Sequence, residues 1–335
     1  MIIPVLLLVF SLAVLGLNYA RTGEIINKGV SLKGGAQISV FSEKDVNVNA
    51  LEAVLAQEFP GKDINTRALQ QAGRQTGFIV TADIQAEDQQ DLQPLIDAIG
   101  KHAQMELTSD DYNIEVIGSS LGRSFFKQTI KALIVAFMFM GAVVFYYFAD
   151  SLKIKIASII ATLVVSILVF KYFFSNLIIT ILSLIIIVVL LAVYLRESTP
   201  SFAVILAIIA DIVTTLAIVN LIGMKLSTAG IAAFLMLIGY SVDTDILLST
   251  RILKRKKGTI LERTLGAMKT GMFMTLTTLV AVGLAAIISQ SETLKQIMII
   301  VIIGLLVDVV NTWIQNAGLV RWYLELKHKK KSHDS

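Results

Sequence analysis

Asp308 lies near the middle of an apolar run that begins around Ile297, Asp211 sits at the middle of a second run, and Asp243 and Asp245 fall inside a third. Keeping a carboxylate charged at bilayer depth costs roughly 2.5 kcal/mol or more, so acids in such segments are rare and mark ion or proton pathways. The chemistry open to them is the gain and loss of a proton, or the passage of a cation. In the last run, Gly304, Asp308, Asn311 and Gln315 are spaced four, three and four apart, which places them on one helical stripe. Asp211 shares a face with Thr214 and Thr215. Asp243 and Asp245 are two apart and point to nearly opposite sides, so at most one of them can face a given pathway. The competing explanation is interhelical hydrogen bonding with no traffic. The runs around Asp211 and Asp308 contain no Lys or Arg to neutralise the acids, which favours the ion-route reading there. Arg251 closes the third run, where a snorkelling residue at the membrane interface is expected, with a part in the ion route as the alternative.

The elements that must hold these acids are legible from composition. Of 335 residues, 55% are hydrophobic and 16% charged, and the mean hydropathy of +0.75 describes a multispanning membrane protein. Crossing about 30 Å of hydrocarbon takes a helix of roughly 20 residues. Eight runs approach that length: Ile2 to Leu17, Ile130 to Phe148, Ile154 to Phe170, Leu177 to Leu195, Phe202 to Leu221, Ile231 to Leu248, Met272 to Ile288 and Ile297 to Ile314. The first lacks a basic leader and a small-x-small cleavage site, so it reads as a retained anchor. Cysteine is absent, and His102, His328 and His333 all lie outside the apolar runs, so no metal site and no cofactor are expected. The net charge of +4 reflects topology rather than nucleic-acid binding. Arg251, Lys254, Arg255, Lys256, Lys257, Arg263 and Lys269 follow the sixth run, and Arg321, Lys327, Lys329, Lys330 and Lys331 form the tail. The positive-inside rule puts both groups, and both termini, in the cytoplasm, and residues 18–127 outside.

That outer stretch is the one soluble domain expected. Ala36, Ile38 and Val40 alternate as a strand, and Leu51, Val54, Leu55 and Phe59 recur at helical spacing up to Pro60. Asp63 to Gln70 reads as a weaker strand, followed by a turn containing Gly73 and the run Phe78-Ile79-Val80. Leu92, Leu95, Ile96 and Ile99 make a second helix that tolerates Pro94 in its first turn, and Tyr112, Ile114 and Val116 make a last strand. The order βαββαβ predicts a ferredoxin-like α+β sandwich. Residues 128–320 then form the transmembrane bundle, and 321–335 a basic tail. The glycine-rich stretch Gly29-Val30-Ser31-Leu32-Lys33-Gly34-Gly35 has neither the spacing nor the terminal Ser/Thr of a Walker A loop, so ATP bound to this chain is not expected as its energy source. Asp243 follows Gly-Tyr-Ser-Val rather than Gly-x-Gly, which argues against an intramembrane aspartyl protease, and no enzyme activity is expected.

Taken in order, the anchor run, the Gly29 to Gly35 stretch, Gly118-Ser119-Ser120-Leu121-Gly122, Asp211-Ile212-Val213, Gly239-Tyr240-Ser241-Val242-Asp243-Thr244-Asp245-Ile246-Leu247, Arg251 and Thr275-Leu276-Thr277-Thr278-Leu279 resemble the SecD/SecF protein-export family of the RND superfamily, on its SecF side. The Val-Asp-Thr-Asp wording is most similar to the archaeal branch. The resemblance implies a subunit that pairs with a SecD-like chain beside the Sec translocon channel. It also implies that ion flow is coupled to movement of the outer domain, helping unfolded secretory or membrane proteins across or into the bilayer. The chain departs from the family in three places. Eight runs stand against the usual six, with the surplus between Asp150 and Leu195; Ser31 stands where many relatives have Asp; and Thr244 stands where bacterial forms have Asp. Rival expectations are an RND-type exporter of lipid or small molecules, which predicts an apolar tunnel through the outer domain, and a non-transporting scaffold of the Sec channel.

Overall fold

A computed structural model of the chain describes residues 2–42, 44–71, 74–84, 89–254, 258–289 and 291–333. Helix α1 (Ile2–Thr22) leads into a one-turn helix α2 (Val30–Lys33) and then into a small α/β unit. That unit runs β1 (Gly35–Phe41), α3 (Val48–Glu58), β2 (Ile64–Gln71), β3 (Arg74–Ala82), α4 (Gln93–Ala103) and β4 (Tyr112–Ile117). Asn47 starts α3 by accepting from the Ala50 amide at 3.2 Å, and Pro94 sits in the first turn of α4, where a missing N–H is harmless. The turn expected around Gly73 lies outside the described residues. The strands form one antiparallel sheet in the order β2-β3-β1-β4, with Ile38 opposite both Val80 and Ile114. Alternation decides the faces. Ile38, Val40, Phe78 and Val80 turn inward against Leu51, Leu55, Leu95 and Ile99 of the two helices, and all of these are buried.

The remaining helices are α5 (Ser119–Phe148), α6 (Leu152–Tyr172), α7 (Leu177–Glu197), α8 (Thr199–Leu221), α9 (Thr228–Lys254), α10 (Ile260–Ile288), α11 (Glu292–Val310) and α12 (Ala317–His333). A π turn, Asn311–Asn316, joins the last two without a break. Eight helical stretches of the described residues are long and apolar enough to cross a membrane, so the chain is a multi-pass membrane protein. Helices α5 and α10 begin well before the expected Ile130 and Met272. Apolar length registers only the part that lies in hydrocarbon, whereas backbone hydrogen bonding carries a helix on through polar residues. At Thr259 a reciprocal cap with Glu262 fixes the true start of α10. Of the basic cytoplasmic candidates, Arg255, Lys256 and Lys257 lie outside the described residues. The tail continues as α12.

Helix α9 packs against α11, α10, α8 and α5, and α8 packs against α1 and α11. The surplus hairpin, α6 with α7, lies outside this core against α5 and α8. It is fastened by a Ser158–Tyr194 hydroxyl pair at 2.8 Å and by Tyr194 stacked on Phe145 at 4.3 Å.

The root of the α/β unit is built from the glycine stretch. The Gly29 amide donates to the Leu226 carbonyl at 2.7 Å, and the Leu226 amide donates to the Asn27 carbonyl at 2.7 Å, which ties the segment after α1 to the α8–α9 loop. The Ser31 hydroxyl accepts from the Thr228 amide at 3.1 Å. At Gly35 the backbone has φ +133°, and a Cβ there would meet the Ala82 carbonyl at 2.5 Å, so only glycine fits. Gly122 of α5 packs directly on the backbone of Gly34.

Between the sheet's open face and the bundle lies a polar cleft of about 370 Å³. Gln37, Asn65, Arg67, Thr81 and Glu115 line its roof, and Lys225, Ser227, Thr293 and Gln296 line its floor. Lys225 Nζ bridges it to Asp63 Oδ1 at 3.0 Å. Both side chains are partly solvated, so the pair contributes at most about 1 kcal/mol. Asp63→Asn is therefore expected to shift the unit away from the bundle by no more than about fivefold, an effect that added salt should mimic. Trapping with a cysteine pair placed across the two rims measures it.

Candidate functional site

Three of the four membrane acids converge. Asp211 on α8, Asp245 on α9 and Asp308 on α11 are each 0% exposed. The Ser241 hydroxyl donates to Asp211 Oδ2 at 2.6 Å, and Asn311 Nδ2 donates to Asp211 Oδ1 at 2.8 Å. Asn316 Nδ2 donates to Asp245 Oδ1 at 2.7 Å. The Thr312 hydroxyl stands between two acids, 2.9 Å from Asp245 Oδ1 and 3.0 Å from Asp308 Oδ1. The Thr244 hydroxyl lies 3.2 Å from Asp308 Oδ2 and 2.9 Å from the Ser241 carbonyl. No ion pair among the described residues reaches this cluster. Three buried acids therefore meet, with hydroxyls and amides as their hydrogen-bond partners among the described residues. Such a set can hold and pass a proton, or its oxygens can coordinate a hard cation.

Local geometry explains who faces whom. Positions 241, 244 and 245 fall on one side of α9, because three and four residues return a helix to the same face. Asp243 falls on the other side and is exposed on the bundle's outer surface, so it is not part of the cluster. The stripe Gly304, Asp308, Asn311, Gln315 does not hold together. The π turn takes up one extra residue and splits it. Asn311 reaches Asp211, Thr312 and Asn316 reach Asp245, Gln315 is buried without a hydrogen bond to these acids among the described residues, and Gly304 packs against Leu237. Thr214 and Thr215 are buried beside Asp211 in sequence, yet their hydroxyls meet no partner among the described residues. Arg251 is not in the cluster either; its Nη1 donates to the Gly266 carbonyl at 2.6 Å and ties α9 to α10. Gly239 and Tyr240 lie outside the site, Gly239 facing open space and the Tyr240 hydroxyl without a partner among the described residues. Thr312 and Asn316 are the contributors that the spacing argument missed. They stand four and eight residues after Asp308, a helical signal in its own right.

Residues 170–326 match the family model described as the C-terminal region of the protein-export membrane proteins SecD/SecF. Over 90% of its length the chain is 32% identical to the protein-export membrane protein SecF of Methanothermobacter thermautotrophicus, covering 86% of that protein. The SecF of Pyrococcus furiosus is 32% identical over 97% of the chain and 90% of its own length, and that of Methanocaldococcus jannaschii is 30% identical over 98% and 96%. Among solved structures, the translocon-associated membrane protein SecDF from Thermus thermophilus superposes with a TM-score of 0.59 at 18% identity, over 96% of this chain and 37% of that one. SecDF in its super-membrane-facing form gives 0.51 at 17% identity, over 99% and 39%. The chain thus spans less than two-fifths of those SecDF chains, and this likeness speaks for the fold. On its near-full-length similarity to these proteins, the chain belongs to the SecF family of protein-export membrane proteins.

Proposed function

We propose that this SecF-family chain works beside the Sec translocon with a SecD-like partner, coupling proton flow across the membrane to movement of its α/β unit, which assists unfolded secretory or membrane proteins. In this reading the unit is a ferredoxin-like domain on the outer side of the plasma membrane, both termini are cytoplasmic, and the proton route runs through Asp211, Asp308 and Asp245. The observation that carries it is the meeting of three buried carboxyls from three helices, which no ion pair among the described residues reaches. Interhelical glue alone would be served by neutral side chains at lower cost. Moving one elementary charge through 100 mV yields about 2.3 kcal/mol, enough to bias two alternative helix packings about fiftyfold. One proton per cycle is adequate. The interior of the α/β unit is filled by Ile38, Leu55, Phe78 and Ile99, which speaks against the apolar tunnel that a lipid exporter requires.

Asp211→Asn and Asp308→Asn keep the side-chain shape and remove the ionisable group. Together they are expected to drop export in cells or vesicles to the level seen without this subunit, while pairing with the SecD-like chain is unchanged. Normal export with both substitutions in place refutes the proton route, and the scaffold reading then stands.

A further inference from the structure

The two threonine hydroxyls around Asp308 have more acceptors than hydrogens. A hydroxyl carries one hydrogen and can donate it once. The Thr312 hydroxyl is within hydrogen-bond distance of Asp245 Oδ1 and Asp308 Oδ1, at 2.9 Å and 3.0 Å. The Thr244 hydroxyl has the Ser241 carbonyl at 2.9 Å and Asp308 Oδ2 at 3.2 Å. If Thr312 donates to Asp245 and Thr244 to the Ser241 carbonyl, both oxygens of Asp308 face lone pairs. Once the Asp308 carboxyl itself carries a hydrogen it can donate to the Thr312 oxygen, and both contacts of Thr312 are then satisfied. With Asp245 and Asp308 buried, an unsatisfied oxygen pair would cost more than on a surface.

We infer that Thr312 is the relay between Asp308 and Asp245, passing a proton from one carboxyl to the other through its hydroxyl. This rests on the proton-coupled reading above and assigns its inner step. The O–H bond of Asp308 breaks as its proton moves to Thr312 Oγ1. In concert, the original Thr312 O–H bond breaks as that proton moves to Asp245 Oδ1. Thr312 ends as a neutral hydroxyl, Asp308 gains the negative charge, and Asp245 loses it. Asn316, donating to Asp245 Oδ1 at 2.7 Å, holds the receiving oxygen toward Thr312 and is a positioning residue. The π turn sets both in place, since Asn311 is spent on Asp211 while its neighbour Thr312 spans the other two acids.

The test compares Thr312→Val, which keeps the shape and removes the hydroxyl, with Thr312→Ser, which keeps the hydroxyl, and uses Asp308→Asn as the reference. Full-length protein with its copurifying SecD-like chain is placed in lipid vesicles, and proton uptake is followed under an imposed potential. Infrared spectra record the carboxyl band that disappears in Asp308→Asn. Thr312→Val is expected to slow proton uptake on the order of a hundredfold, as removal of a positioned proton carrier does. It should also move the Asp308 carboxyl band to higher frequency through loss of a hydrogen-bond partner. Thr312→Ser should restore both. Wild-type uptake in Thr312→Val, with Asp308→Asn inactive, overturns the relay and leaves the ion route standing. Wild-type uptake in both variants overturns the relay together with the reading it rests on. Loss of uptake in Thr312→Ser as severe as in Thr312→Val, with the band unmoved, assigns Thr312 a packing role and also overturns the relay.

Discussion

Gly122→Ala is expected to detach the root of the α/β unit from the bundle. A methyl group at this position would sit 2.7 Å from the Gly34 amide nitrogen and 3.1 Å from the Lys33 carbonyl carbon. Both are backbone atoms, so no rotamer change relieves the overlap. Overpacking of a tight contact costs about 1–3 kcal/mol where side chains can adjust, and a backbone-on-backbone contact belongs at or above the upper end. The damage should be local. Gly34 leads into β1 and Gly122 lies in the first turns of α5, so the affected contact is the one where the α/β unit joins the membrane helices. Detergent-solubilised variant should lose protease resistance first at residues 23–35 and 117–122, at a temperature where the remaining helices stay intact. Gly118→Ala is the matched control, because an added Cβ there meets no atom within 4 Å. Equal behaviour of the two variants would mean that close packing is not what secures the root.

The second large effect belongs to Phe78→Ala. Phe78 is 0% exposed and packs among Val40, Leu55 and Ile99 at the centre of the α/β core. Deleting a buried aromatic ring costs about 3–5 kcal/mol through lost transfer energy and the cavity left behind. A unit of this size has only about 5–10 kcal/mol of stability to lose. Amide exchange in β1 and β3 of the full-length chain should therefore accelerate by at least about a hundredfold, while exchange in α9 and α11 stays as it was. Phe41→Ala provides the contrast. Phe41 closes the same sheet but is 56% exposed, and its loss should stay within about 0.5 kcal/mol. A small effect at Phe78 would show that the sheet is held from outside rather than by its own core.

The strands and helices of the α/β unit were legible because alternation and helical spacing are local properties; Ile38, Phe78 and Leu55 announce their faces from their own neighbours. The membrane acids were legible one at a time for the same reason, since a carboxyl within an apolar run stands out. Their meeting was not, because it depends on which helices are adjacent and at what depth they cross. Asp211 and Asn311 are a hundred residues apart, as Lys225 and Asp63 are across the cleft at 162. Helical phase correctly separated Asp243 from Asp245 without saying which faces inward, since both sides of α9 are apolar enough to be buried. The π turn was the least visible feature. One extra residue in a turn leaves no mark on composition, yet it moves Gln315 away from the acids and brings Thr312 and Asn316 onto them.

The order of strands in the sheet carries a mechanical consequence. The two chain connections to the bundle leave from β1 and β4, which are neighbours, whereas β2 lies at the opposite edge, two strands away from β1. Adjacent strands are about 4.8 Å apart, so β2 stands roughly 10 Å from the line through the attachments. In the movement proposed above, the α/β unit would turn as a crank pivoted near Gly34 and Gly122, with Asp63 at the far end resting on Lys225 as a weak stop. A tilt of a few degrees at the pivot hardly disturbs the helices beneath it, and the same tilt produces its largest stroke along β2.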